Sequence, residues 1–170
     1  DLGSTAAVIK EFFSEGEAKG WITDLRLDKL GNLIIHKKGK GDGSPKILFA
    51  AHMDEIGLMV TGFEEGFLRF SSVGGIDQRV LLGQEVMVHG QRDLPGVIGS
   101  KPPHLQAPDE REKAVKMEEM VIDLGLDKKQ AESLISIGDV VTINRKGLRL
   151  ASEAISGKAL DDRVGVAALI

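Results

Sequence analysis

The sequence has no cysteine. Disulfides, thiolate metal sites and a cysteine nucleophile are therefore excluded, and a reducing compartment suits the chain. No apolar run approaches the roughly 20 residues needed to cross a bilayer, and no secretory signal is visible. The expected location is the cytoplasm, with no membrane partner. Aromatic residues make up only 4% of the chain, so the core must be aliphatic. Long basic runs are missing too: His36-Lys37-Lys38-Gly39-Lys40 is short, sits beside glycines and reads as a hairpin or loop tip. With 22 Lys+Arg against 26 Asp+Glu, the net charge is −4, and that balance argues against a nucleic-acid partner. No GxSxG elbow supports a serine hydrolase, and no P-loop or GxGxxG follows a strand.

What is present is an ordinary globular composition. The 170 residues are 42% hydrophobic and 28% charged. Apolar residues are spread along the whole chain, so disorder is not expected. The length suits one domain or two small ones. Twenty-one glycines predict many turns.

The opening reads as α/β. Residues 4–19 carry Ala7, Val8, Phe12 and Phe13 between charges, an amphipathic helix pattern with Ser4 or Thr5 as N-cap. Residues 21–27 and 32–36 alternate as strands around a tight turn at Leu30-Gly31-Asn32. The run KILFAA at 46–51 is what a central strand buried on both faces requires. After Gly57 the texture changes. Short strand candidates at 58–61, 67–70, 80–82, 86–89 and 97–98, punctuated by glycines, suggest a small barrel or sandwich. Three prolines in KPPHLQAP, 101–108, bar a helix interior. Residues 109–117 read as a short helix or an exposed loop, and 120–124 read either way. Residues 128–135 predict a helix and DVVTIN, 139–144, a strand. These readings place a β-rich domain at 59–153, inserted into an α/β domain made of 1–58 and 154–170. The last segment, RVGVAALI at 163–170, has the composition of a buried helix and carries no capping signal. The expectation is the N-terminal portion of a longer protein.

Two segments can carry chemistry. The first is His52-Met53-Asp54-Glu55-Ile56-Gly57, at the carboxyl end of the expected central strand, where open α/β sheets place ligands. Residues i and i+2 share a face in extended chain. Asp54 could hold one nitrogen of His52, fix its tautomer and leave the other for a metal. The plainer reading is a core histidine satisfied by a loop, with Asp54 as a turn residue. The second segment is Gly157-Lys158-Ala159-Leu160-Asp161-Asp162-Arg163-Val164-Gly165. Its acids read either as N-caps at a helix start or as a carboxylate bridging two cations. His36 and His89 read as structural, and His104 as a surface residue in a proline-rich loop.

Four segments stand in order: AAHMDEIGLMV at 50–60, GGIDQRVLLGQEVMVHG at 74–90, GVIGSKPPHL at 96–105 and GKALDDRVGVA at 157–167. Together they closely resemble the TET-type metallo-aminopeptidases, which include glutamyl and deblocking aminopeptidases. The resemblance covers nearly the whole chain. It implies an α/β catalytic domain of the zinc-exopeptidase type interrupted by a PDZ-like β-rich domain. It also implies two divalent cations, zinc or cobalt, and removal of N-terminal residues from peptide substrates. By position His52 matches the histidine ligand of one metal, and Asp161 the aspartate that bridges both. Asp54 matches the catalytic acid that orients the histidine ligand. Asp162 follows in a supporting position, and in similar enzymes the Asp161–Asp162 peptide is cis. Complete members form dimers that build a hollow dodecamer, with contacts through the inserted domain.

In such enzymes the general-base glutamate, a second glutamate, a further acidic ligand and the last histidine lie beyond the DDR segment. The sequence stops nine residues after Asp161, so two of five expected ligands are present. The 170 residues by themselves are expected to bind metal poorly and to hydrolyse nothing. Two functions follow. One is a metal-dependent aminopeptidase, active when complete. The other is a catalytically inactive fragment serving as an oligomerisation or interaction module. A polysaccharide hydrolase is discounted, because no carboxylate pair placed to flank a sugar is evident.

Overall fold

The computed structural model describes residues 2–41, 43, 45–105 and 113–170. In chain order its elements are α1 (Leu2–Ala18), β1 (Ile22–Leu27), β2 (Leu33–Lys37), β3 (Gly57–Glu64), β4 (Phe67–Val73), β5 (Glu85–His89), β6 (Asp93–Ser100), β7 (Met120–Asp123), α2 (Lys128–Leu134), β8 (Val140–Ile143), β9 (Leu148–Arg149), β10 (Ile155–Ser156) and α3 (Leu160–Leu169). The chain divides into two units: Asp1–Glu55 with Ala159–Ile170, and Ile56–Lys158.

In the first unit α1 begins ahead of Ser4 and Thr5, so neither is its N-cap. Its inward stripe is Ala6, Ile9 and Gly16, at helical spacing. Val8 and Phe12, expected on the apolar face, are exposed. A side chain at Gly16 would press on Ile22, and the Gly16 carbonyl accepts from the Trp21 amide at 2.9 Å. The helix end is thereby packed on the start of β1. Strands β1 and β2 pair antiparallel, with Leu25 opposite Ile35. Asp28 builds the turn between them, its carboxylate accepting from the amides of Leu30 and Asn32, each at 2.9 Å. A further hydrogen bond from the Asn32 side chain is the main reason the Asp28 carboxyl titrates below the ordinary carboxylate range.

The expected central strand at 46–51 is not formed. Ile47, Leu48 and Phe49 are exposed, Leu48 at 91%. A strand exists through hydrogen bonds to a neighbour, and no described segment pairs with this one. The composition suits a buried strand, but its partners are not among the described residues. Likewise no residue of α3 is buried, against the expectation of a buried helix at 163–170.

The second unit is a closed barrel in the order β3-β4-β7-β6-β5-β8, with β8 pairing back on β3. Closure removes sheet edges and decides between the barrel and the sandwich. Alternate residues point inward: Leu58 and Val60, Leu68 and Phe70, Val86 and Val88, Met120 and Ile122. No polar side chain is buried among the described residues. The β3–β4 hairpin turns on Glu65 and Gly66, with φ of 48° and 99°, the left-handed pair of a type I′ turn. A Cβ at Gly66 would stand 2.8 Å from the Leu126 carbonyl oxygen.

Residues 80–82 are not a strand. Asp77 caps a single 3-10 turn at Gln78–Val80 instead, its carboxylate accepting from the Arg79 amide at 3.0 Å. The guanidinium of Arg79 folds back on the same carboxylate at 2.6 Å. The strand expected at 97–98 is part of the longer β6, and the open reading at 120–124 resolves as β7. Helix α2 starts in a capping box: Asp127 accepts from the Gln130 amide at 2.8 Å, and the Gln130 side chain accepts from the Asp127 amide at 3.1 Å. Residues 103–105 form one 3-10 turn. Residues 106–112, which hold the rest of the proline-rich segment and the first four residues of the charged stretch at 109–117, lie outside the described residues. Among the described residues no helix is long and apolar enough to cross a membrane.

Candidate metal centre

The site is built within the first unit, from two segments that the chain separates by 109 residues. His52 and Asp54 are exposed, whereas Met53 and Glu55 are half-buried, the alternation that two neighbours on one face require. His52 Nδ1 lies 2.8 Å from Asp54 Oδ1. A carboxylate acceptor at Nδ1 keeps a proton there, so Nε2 is the nitrogen that would serve a metal once it gives up its own proton. His52 Nε2 in turn lies 3.1 Å from Asp161 Oδ1.

Asp161 reaches this position through an irregular lead-in to α3. Ala159 is left-handed (φ 59°), Asp161 is extended (φ −89°, ψ 108°) and the Asp161–Asp162 peptide is cis. Regular helix begins only after Asp162, whose Oδ1 accepts from the Gly165 amide at 3.1 Å. Asp162 is therefore the functional N-cap. The two plain readings of the acid pair separate here: Asp162 caps, while the Asp161 side chain, 97% exposed, turns to His52. A further tie joins the segments, because Arg163 Nε donates to the Met53 carbonyl at 3.3 Å. Sequence reasoning alone does not single out Arg163; its only mark is its place beside the acid pair.

The electrostatics follow from these contacts. Partial desolvation pulls the His52 pKa down. Hydrogen bonds to Asp54 and Asp161, with their negative charges, outweigh it, and the imidazole titrates above its ordinary 6.5.

The donor set can be tested against a divalent cation. With nitrogen and oxygen ligands at about 2.0–2.2 Å, neighbouring donor atoms stand roughly 3.3 Å apart in a tetrahedral shell and about 2.9 Å in an octahedral one. The 3.1 Å between His52 Nε2 and Asp161 Oδ1 falls between those values. The pair thus fits two corners of a coordination shell. A shell needs at least four, and among the described residues no group of three His, Cys, Asp or Glu side chains could hold a metal ion.

The other histidines are engaged elsewhere or lie at the surface. His36 Nδ1 meets Thr23 Oγ1 at 2.5 Å. His89 is held at both nitrogens, by Asp93 at 2.8 Å and Thr142 at 3.0 Å. His104 is exposed on its 3-10 turn.

Comparison with known proteins gives the family. The family model for M42 glutamyl aminopeptidase matches residues 31–170. The chain belongs to the M42 family. A lysyl aminopeptidase of Pyrococcus furiosus is 34% identical over 153 residues, 86% of this chain and 43% of that protein. Among solved structures, an aminopeptidase of the archaeon Desulfurococcus kamchatkensis shares 36% identity with a TM-score of 0.83, over 97% of this chain and 44% of its own. The TET1 peptidase of Pyrococcus horikoshii, described as assembling into a tetrahedron or a large octahedral shell, shares 40% identity with a TM-score of 0.75. It matches 94% of this chain and 47% of its own. The TET-type resemblance carried by the four sequence segments therefore holds at the level of family. The M42 chain described here spans less than half the length of these relatives.

Proposed function

We propose that this chain carries one part of the active centre of a metal-dependent aminopeptidase that removes N-terminal residues from peptides. The observation that carries the reading is the relay Asp54–His52–Asp161, with contacts of 2.8 and 3.1 Å. In it His52 Nε2 would be one metal donor, and Asp161 would be the carboxylate shared between two divalent cations, zinc or cobalt. Asp54 holds the imidazole in the tautomer that leaves Nε2 free, and Asp162 supports Asp161 by fixing where the helix begins. Such cations, when bound, acidify a water and polarise the scissile carbonyl. Because no third donor stands with this pair among the described residues, residues 1–170 by themselves are proposed to be inactive.

The test uses the natural gene product that contains this sequence. Release of a chromogenic amine from an aminoacyl substrate is expected to depend on added cobalt or zinc and to vanish in His52→Ala. Metal-independent release, or full activity in that variant, would overturn the reading.

A second reading concerns assembly. The barrel unit has a closed core of its own, and the similar TET1 peptidase assembles into shells. This supports the barrel as a PDZ-like inserted domain, at 59–153 in the sequence reading, that joins subunits into dimers and dodecamers. Sedimentation of the gene product is expected to give a species far heavier than one chain. A monomer at micromolar concentration would refute it.

A further inference from the structure

We propose that Arg163 is a positioning residue that sets the separation of His52 and Asp161 through its bond to the Met53 carbonyl, an inference that rests on the metal-centre reading above. Two of the contacts between the segments bear on the pair. One is the contact between His52 Nε2 and Asp161 Oδ1 at 3.1 Å. The other is the bond from Arg163 Nε to Met53 O at 3.3 Å. The first cannot survive metal loading, because Nε2 has a single lone pair and a metal donor cannot also carry a proton there. The second survives, since neither of its atoms is a metal donor.

Its placement gives it leverage. The accepting carbonyl belongs to the residue between His52 and Asp54. The donating side chain belongs to the residue two beyond Asp161 and next to Asp162. One bond therefore fixes both halves of the relay. Both residues are half-buried, which shields the bond from competing water. Arg163 is also held locally, its amide donating to the Ala159 carbonyl at 3.3 Å.

The donor is Nε, and this makes the inference separable from a general need for positive charge. Lysine places a methylene where arginine has Nε, and so keeps the charge without the donor. Glutamine ends in an amide nitrogen at the same distance along the side chain, and so keeps a donor without the charge. The experiment is titration of the natural gene product with Co2+, read by calorimetry and by the visible ligand-field band, which reports coordination geometry. Arg163→Lys and Arg163→Met are expected to weaken Co2+ binding about 10- to 100-fold and to alter the band, the range found for groups that orient metal ligands. Arg163→Gln is expected to stay near wild type. If Arg163→Met does not fold, the lysine and glutamine variants decide between themselves. Equal affinities and bands in those two, or a lysine variant tighter than the glutamine one, overturn the inference. His52→Ala keeps the two readings apart. If it abolishes the band while all Arg163 variants match wild type, the metal centre stands and the positioning role falls. If the wild type shows no band, or His52→Ala leaves it intact, the metal-centre reading fails and the positioning role falls with it.

Discussion

Ile122 is the residue whose truncation tests the barrel most directly. It is fully buried on β7, between Leu68 of β4 and Ile98 of β6 as ladder neighbours. Ile122→Ala deletes three carbons, worth roughly 2.4 kcal/mol of transfer free energy at about 0.8 kcal/mol each. The void adds to this. An unrelaxed space of roughly 80 Å3 at about 24 cal/mol per Å3 contributes up to about 1.9 kcal/mol. Relaxation is restricted, because the flanking strands are held in register on both sides and a Cβ at Gly96 would already stand 2.9 Å from Ile122 Cγ2. The expected loss is therefore about 2.5–4 kcal/mol, against about 0.5–1.5 kcal/mol for Ile122→Val. For a unit of about 100 residues the alanine change lowers the Tm by something on the order of 10–25 °C. Urea unfolding followed by far-ultraviolet circular dichroism measures both variants. A loss under about 1 kcal/mol for alanine, the size of a typical substitution, would refute the placement of Ile122 at the centre of the core. So would equal losses for alanine and valine.

Other consequences are nearer the surface. His52 is expected to titrate above 6.5 in metal-free protein, and Asp54→Asn to lower that midpoint by removing a charge and an acceptor; a nuclear magnetic resonance titration showing no fall would contradict the contact. A raised folded-state pKa gives stability that is present below pH 6.5 and lost as pH rises through the folded midpoint. Asp77, held to about 2 by the Arg79 side chain and amide, has the opposite sign: its contribution is present above pH 3.8 and lost as pH falls through about 2. Its carboxyl carbon shift is expected to titrate at that low value and to move toward 3.8 in Arg79→Gln. A Cβ at Gly165 would collide with the Asp162 carboxylate that caps the helix. Gly165→Ala is thus expected to miss the gain of about 1 kcal/mol that alanine brings inside a helix, and to recover it in an Asp162→Ala background. Chemical-shift helicity of α3 measures the coupling.

How far the sequence reached depended on the range of the interactions involved. Strands β1 and β2 were legible because alternation and a turn at 28–32 act over a few residues. Helix α2 was legible because its pattern and its cap at Asp127 are local. His52 and Asp54 share a face by backbone periodicity alone. The proximity of His52 to Asp161 is not local, and only the motif resemblance suggested it; Arg163 and Met53 stood inside those motifs with nothing to link one to the other. The turn at 78–80 defeated the strand reading because Asp77 and Arg79 close a cap that outweighs a three-residue β preference.

Segment 46–51 shows the same limit from the other side, and it yields a further test. Its apolar run suits a central strand, but β structure requires a partner backbone. The described segments offer none, and Ile47, Leu48 and Phe49 stand exposed. An amide without a structural hydrogen bond and open to water exchanges without protection. Hydrogen exchange on residues 1–170 is therefore expected to leave amides 46–51 at unstructured-chain rates, while those of Val86 and Val88 in the barrel, each with no exposed surface, are strongly protected. Protection at 46–51 equal to that of β5 would mean that the segment finds a strand partner, within the chain or in a second copy, and the account of why it is not a strand would be wrong.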